Sequence, residues 1–259
     1  MEYVIVSDEP TARAPLVQRI EARGAVRSCA RWQDVRCSAD DANTVVVSVP
    51  PGSIRDGRWL RGLTAFRMAF PRSGVVLVLD LGSPSRLDLG LLPAVDAVVA
   101  PDADGTTLFG ALDAAIVLGP VRELVSETNR LSDGVMRRAV VTLLRAQPPF
   151  STVVGVAQRT EVSGNQLSHR WLRARLELGV REGVRLTDLV QWTLLARAVA
   201  EHRRTVRSWG EVATRFGVGI KVLSRSSRKF LEVTLRELDD LDSVEIASRA
   251  RSWIRWPPA

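Results

Sequence analysis

Residues 156–168 read VAQRTEVSGNQLS, and 56 residues later residues 212–224 read VATRFGVGIKVLS. Val156-Ala157, Arg159, Val162 and Leu167-Ser168 recur as Val212-Ala213, Arg215, Val218 and Leu223-Ser224. The spacing suits two helices that cross steeply over a tight turn, with a small residue, Ala157 or Ala213, where they touch. Four residues later the chain turns, and a positive φ there favours glycine. Gly217 meets that demand; Glu161 does not, and a non-glycine residue there costs about 1 kcal/mol. Val162 and Val218, then Leu167 and Leu223, fill the angle from the second helix. A hydroxyl stands ready to cap the first helix of each copy, Ser151 or Thr152 in one and Ser208 in the other. Between the copies runs one long apolar-striped stretch, LTDLVQWTLLARAVAEHR, at residues 186–203. The pattern predicts an all-α C-terminal domain with two helix-turn-helix units.

Charge follows the same division. The chain of 259 residues has a net charge of +7. Residues 131–231 hold 18 Lys/Arg against 7 Asp/Glu, whereas residues 1–118 hold 12 against 14. A basic block around the repeat suggests a polyanionic partner there and a different role for the N-terminal half.

That half alternates short β-branched runs with helical stretches. Strands are expected at Tyr3–Ser7, Ala25–Ala30, Thr44–Val49, Val75–Asp80 and Ala97–Ala100, with helical stretches near 11–23, 54–70, 86–92 and 105–117. The nearly continuous apolar runs Thr44–Val49 and Val75–Leu79 read as central parallel strands buried on both faces. Five strands alternating with helices predict a doubly wound, flavodoxin-like α/β fold over residues 1–118. Its size and order resemble the receiver domain of two-component response regulators. Ser7-Asp8-Glu9 after the first strand fits the carboxylate cluster such a domain uses for magnesium. The third strand, however, ends Val47-Ser48-Val49-Pro50-Pro51, with no aspartate to accept a phosphoryl group, and the fifth ends Ala100-Pro101 where the receiver pattern has Lys-Pro. Asp80 is the remaining carboxylate near that edge. The reading is a pseudo-receiver without phosphoacceptor or metal, binding a partner, a second copy or a small ligand at the strand C-termini.

Residues 131–235 resemble the DNA-binding domain of the AraC/XylS family. The first unit, VVGVAQRTEVSGNQLSHRWLRARLELG, has the family's aromatic at Trp171 and its glycine at Gly179; the second, RSWGEVATRFGVGIKVLSRSSRKF, is close to the family pattern in GEVATRFGV and LSR. Departures are Ser227, where an aromatic is expected and Phe230 stands one turn later, and Glu232-Val233-Thr234-Leu235, where Gly-x-Thr-Pro is usual. The resemblance implies a sequence-specific regulator of transcription that binds double-stranded DNA, with the linker helix holding two recognition helices on one side of the duplex. Carried onto matching positions, it implies base reading by Asn165, Ser168, His169, Lys221, Val222 and Arg225, with Arg225 suited to guanine and Asn165 to adenine. Phosphate contacts fall to Ser151, Thr152, Arg170, Arg173, Arg204, Arg207, Ser208, Arg228 and Lys229. Trp171, Trp192 and Trp209 read as packing residues.

The expected domains are a receiver-like unit at 1–118, a linker helix at 119–135, the double helix-turn-helix at 136–240 and a C-terminal tail at 241–259. Within the linker, Val121, Leu124, Thr128, Leu131 and Val135 keep a 3-4-3-4 spacing that suits pairing with a second chain, hence a homodimer, or packing on its own domain. The tail ends in Trp253-Ile254-Arg255-Trp256 and is expected to dock on the protein. Cys29 and Cys37 read as ordinary small residues. With His169 and His202 as the only histidines and no nucleophile or metal motif, an enzyme is not expected, nor a cofactor. No apolar run spans a bilayer and no secretory leader is visible, so a cytoplasmic protein without membrane contact is expected. Two other classes share the pattern: an RNA-binding antiterminator-like regulator, and a protein-interaction adaptor whose helix-turn-helix folds bind no DNA.

Overall fold

The structure is a computed structural model and describes residues 1–35, 44–48, 57–79 and 95–255. The chain divides into two compact units, Met1–Gly119 with Arg203–Thr205, and Pro120–His202 with Val206–Ala259.

In the first unit, strands β1 (Glu2–Val6), β2 (Ala25–Cys29), β3 (Thr44–Ser48), β4 (Gly74–Val78) and β5 (Ala97–Val99) form one parallel sheet in the order β2-β1-β3-β4-β5. The order reverses beside β1, which is the flavodoxin-like arrangement. Every residue of β3 and β4 is buried, as their runs of valine require, while β2 lies at an edge and is largely open. Helix α1 (Pro10–Ile20) joins β1 to β2, α2 (Gly57–Ala69) lies between β3 and β4, and α3 (Gly105–Val117) follows β5. The strands stand where the sequence places them, with ends shifted by a residue or two. Asp80, Cys37, Pro50-Pro51 and the helical stretch 86–92 lie outside the described residues.

Two features distinguish this sheet. The described part of the β2–β3 connection contains a single 3-10 turn, Trp32–Asp34. Ser48, the last residue of β3, is fully buried, and the indole N–H of Trp59 donates to its hydroxyl at 3.2 Å. Asp8 and Glu9 are exposed beyond β1.

The second unit is helical: α4 (Gly119–Glu127), α5 (Gly134–Arg145), α6 (Val153–Thr160), α7 (Gly164–Glu177), α8 (Leu186–Thr205), α9 (Trp209–Arg215), α10 (Ile220–Phe230), α11 (Leu235–Asp240) and α12 (Ser243–Ile254). One expectation is corrected. Residues 119–135 do not form one linker helix. The α-helix ends at Glu127, a 3-10 turn follows at Thr128–Arg130, and Asp133 starts α5 by accepting from the amides of Val135 and Met136 at 2.9 and 3.1 Å. The Asp133-Gly134 cap is a start signal that outweighs the 3-4 spacing. Val121, Leu124, Thr128 and Leu131 are all buried, so the seam is already used within this chain.

Residues 241–255 dock on the protein through α12, where Ile246, Ala247, Ala250 and Ile254 are buried. The Nε1 of Trp192 donates to the carbonyl of Ala250 at 3.2 Å, and Arg255 bridges to Val180 and donates to the carbonyl of Leu178 at 2.7 Å. Two buried glutamates on α4 fasten α12: Glu123 accepts from Arg251 at 2.5–3.0 Å through both oxygens, and Glu127 pairs with Arg255. A buried carboxylate that loses its cation retains its desolvation penalty. Arg251→Met is therefore expected to lower stability by about 2–3 kcal/mol, less than a wholly buried pair because the guanidinium is partly hydrated. Adding Glu123→Leu should restore most of the loss in urea unfolding; a double variant no more stable than the single one would exclude the pair as the cause.

Candidate nucleic-acid interface

The repeated sequence folds into the same corner twice. In the first copy Thr152 caps α6, its Oγ1 accepting from the Gly155 amide at 3.2 Å, and in the second Ser208 caps α9 with Glu211 completing a reciprocal capping box. Ser151 is exposed beside the cap. Each first helix then ends on a left-handed residue, Glu161 with φ 57° and Gly217 with φ 66°. The amide of Val162 donates to the carbonyl of Ala157 at 3.1 Å, and that of Val218 to Ala213 at 3.0 Å. These are the six-residue bonds of a Schellman turn. Val156, Ala157 and Leu167 are buried in one corner, Val212, Ala213 and Leu223 in the other.

The second helices, α7 and α10, present corresponding positions outward. Asn165, Ser168 and His169 are exposed on α7; Lys221 and Arg225 are exposed on α10, with Val222 half-buried beside them. Asn165 and Lys221 occupy the same place in the repeat, as do His169 and Arg225. Their i, i+4 spacing puts each pair on one helix face. The Ser168 hydroxyl donates to the carbonyl of Gly164 at 2.8 Å, which leaves its oxygen as an acceptor.

The expected phosphate-binding cations divide into two groups. Arg173 and Arg228 are exposed. Three others are held by carboxylates: Arg170 by Asp133 at 2.6 Å, Lys229 by Asp188 at 2.5 Å, and Arg207 by Glu201 at 3.3 Å, where Arg215 joins at 3.1 Å. Arg204 is half-buried near the end of α8. Sequence reading missed these acids. Asp133 and Asp188 lie 37 and 41 residues from their partners, so only the fold brings them together, although each also sits in the first-turn or cap position of a helix.

The tryptophans face inward. Trp171 is buried and donates to the carbonyl of Val184 at 2.8 Å. Trp209 stacks on His202 with ring centroids 4.1 Å apart, and both side chains bond the Asp239 carboxylate, at 3.1 and 2.9 Å. Ser227, where the first copy has Trp171, is fully buried and donates to the carbonyl of Val233 at 2.7 Å, while Phe230 packs edge-on against Trp253 at 4.4 Å. Where the first copy has a buried tryptophan the second thus has a buried, hydrogen-bonded serine, with Phe230 buried one turn later. Glu232, two residues beyond α10, is left-handed with φ 60°, as is Gly179 two residues beyond α7 with φ 61°.

Several carboxylates are tuned by the bonds they accept. The hydrogen bond from Arg170 holds the Asp133 carboxyl below its usual range, the Ser132 amide does the same for Glu177, the Ser208 hydroxyl for Glu211 and the Thr234 amide for Glu237.

No family model matches the sequence, and no curated protein matches it. A solved structure, full-length FixJ from B. japonicum, is similar at 12% identity over 83% of this chain and 97% of that chain, with a TM-score of 0.34. No helix among the described residues is long and apolar enough to cross a membrane.

The corner geometry makes two predictions. Relief of the left-handed strain should make Glu161→Gly more stable by about 0.5–1 kcal/mol, and Gly217→Ala less stable by about 1 kcal/mol, measured as thermal-unfolding shifts. Equal effects of both signs at both sites would contradict the shared turn. The lowered carboxyls contribute stability that is present above the ordinary carboxylate range and is lost as pH falls through their folded values. Below about pH 4 the helical unit should lose stability, and Asp133→Asn should flatten part of that dependence.

Proposed function

We propose that this protein is a sequence-specific regulator of transcription that binds double-stranded DNA through an AraC-like double helix-turn-helix in residues 136–240. It acts without enzymatic chemistry or cofactor, as a cytoplasmic homodimer. The observation that carries the reading is the duplicated corner, which turns matching polar positions, Asn165 with Lys221 and His169 with Arg225, outward from helices whose opposite faces are buried. Helix α8, with 20 residues, is about 30 Å long, comparable to the roughly 34 Å between successive major-groove faces on one side of a duplex. Base reading falls to Asn165, Ser168, His169, Lys221, Val222 and Arg225. Ser151, Thr152, Arg170, Arg173, Arg204, Arg207, Ser208, Arg228 and Lys229 serve the phosphates.

Control comes from the first unit by a partner, a ligand or dimerisation, and not by phosphoryl transfer. The support is Ser48, buried under the Trp59 indole at the strand end where an acceptor aspartate would stand. Since the 121–131 seam is buried within the chain, a dimer would use other surfaces.

Selection of bound duplexes from genomic fragments, followed by titration at several salt concentrations, tests the reading. Binding should weaken linearly in log–log form with salt, and Arg173→Ala should reduce the slope by about 0.9 while weakening all sequences alike. Arg225→Ala should cost about 1–3 kcal/mol and relax preference at one base pair only. Absence of duplex binding at low salt would overturn the proposal, and preference for single-stranded loops would point to RNA instead.

A further inference from the structure

The first unit contains a cavity of about 890 Å³ at the C-terminal ends of β1 and β2, walled on one side by α2. That volume falls within the roughly 300–1,000 Å³ usual for small-molecule sites. Its inner wall is aromatic. The Trp32 ring stands 6.1 Å from that of Trp59 in an edge arrangement and 5.2 Å from Phe66, and Phe66 stands 5.3 Å from Phe70. The cavity lies where the β2–β3 connection, as far as it is described, lays one 3-10 turn and no crossover helix beside α2. Gly62 lets α2 approach Trp32, because a Cβ there would come within 2.8 Å of the indole Cδ1.

Two further observations point to what the cavity holds. Arg31 and Arg61 line it and are exposed, beside the carboxylate of Asp8. Guanidinium groups beside aromatic faces favour a planar anion, which they meet by charge, by paired hydrogen bonds and by stacking. The Trp32 indole Nε1 is buried and has no hydrogen-bond partner. A buried donor without a partner is uncommon, and an acceptor atom on a ligand would satisfy it once the ring turns to open the nitrogen, which is closed to solvent in the unliganded chain.

We infer that this cavity binds a planar aromatic anion, a small molecule with one or more fused or linked rings and an acidic group directed at Arg31 and Arg61. The inference names the ligand for the ligand-controlled form of the proposed function. Binding is measured on the protein without DNA, so its failure and the failure of duplex recognition are separate results.

The test titrates the full chain with anilinonaphthalene sulfonate, a planar aromatic anion, and with neutral phenylnaphthylamine, following dye emission and tryptophan quenching. One saturable site per chain is expected, with the anion bound at least about tenfold tighter than the neutral dye. Ala65→Trp, which adds bulk at an exposed helical position on the α2 wall, should weaken the anion at least about tenfold with an unchanged unfolding midpoint. Arg31→Gln combined with Arg61→Gln should abolish the preference for the anion, and it serves equally if the Ala65 variant does not fold. Undiminished binding to folded Ala65→Trp, equal affinity for the two dyes, a preference for the anion that survives loss of both arginines, or binding without saturation would overturn the assignment.

Discussion

Two helices can cross steeply only if their backbones come close, and that requirement governs the helical unit. Ala157 and Ala213 supply the close approach, and the chain must then reverse within a few residues through a left-handed position. Once Ala157–Val162 and Ala213–Val218 close their bonds at 3.1 and 3.0 Å, the direction of α7 and α10 follows, and with it the side chains they turn to solvent. The outward set is thus a consequence of buried small residues and backbone hydrogen bonds. The polar residues themselves need little support. That is why Asn165 can stand where the other copy has Lys221, and His169 where it has Arg225, without any change in the corner.

The acids around this surface modify its charge without abolishing it. Asp133 caps α5 and holds Arg170, and Asp188 caps α8 and holds Lys229. Ion pairs whose cation stays exposed, as Arg170 and Lys229 do, contribute little to stability. Their effect is positional: each long cation has a preferred location in the free protein. Under the proposed function a phosphate competes with a carboxylate for Arg170 and Lys229, whereas Arg173 and Arg228 meet it without exchange. The surface charge is therefore less than a count of arginines implies.

Much of this was legible in the sequence, and the reasons differ from element to element. The valine runs of β3 and β4 identify central strands because nothing else buries both faces of so short a segment. The repeat identifies the corners because the constraint is local, a few residues in length, and occurs twice. The linker's spacing left its partner open, because the same Val121, Leu124, Thr128 and Leu131 serve an intramolecular core as well as a seam between chains. The tail was divided off too early: α12 carries its own apolar stripe, but its dependence on Glu123 and Glu127 rests on partners more than a hundred residues away. Pairings across such distances leave no periodic trace.

The sheet illustrates the same separation between scaffold and site. A parallel sheet in the order β2-β1-β3-β4-β5 opens a crevice at its strand C-termini whatever chemistry is placed there. An acidic pocket at that edge would need hydrated carboxylates beside the end of β3. Here the end of β3 is instead sealed by the Ser48–Trp59 hydrogen bond, and Trp59 begins a file of rings that continues through Trp32 and Phe66 to Phe70. Aromatic rings at that position exclude water and raise the cost of a charge left unpaired. The arginines at the rim reverse the sign of charge from that of a carboxylate pocket. The indole that bonds Ser48 thus leaves the end of β3 apolar, where a carboxylate pocket would have to admit water.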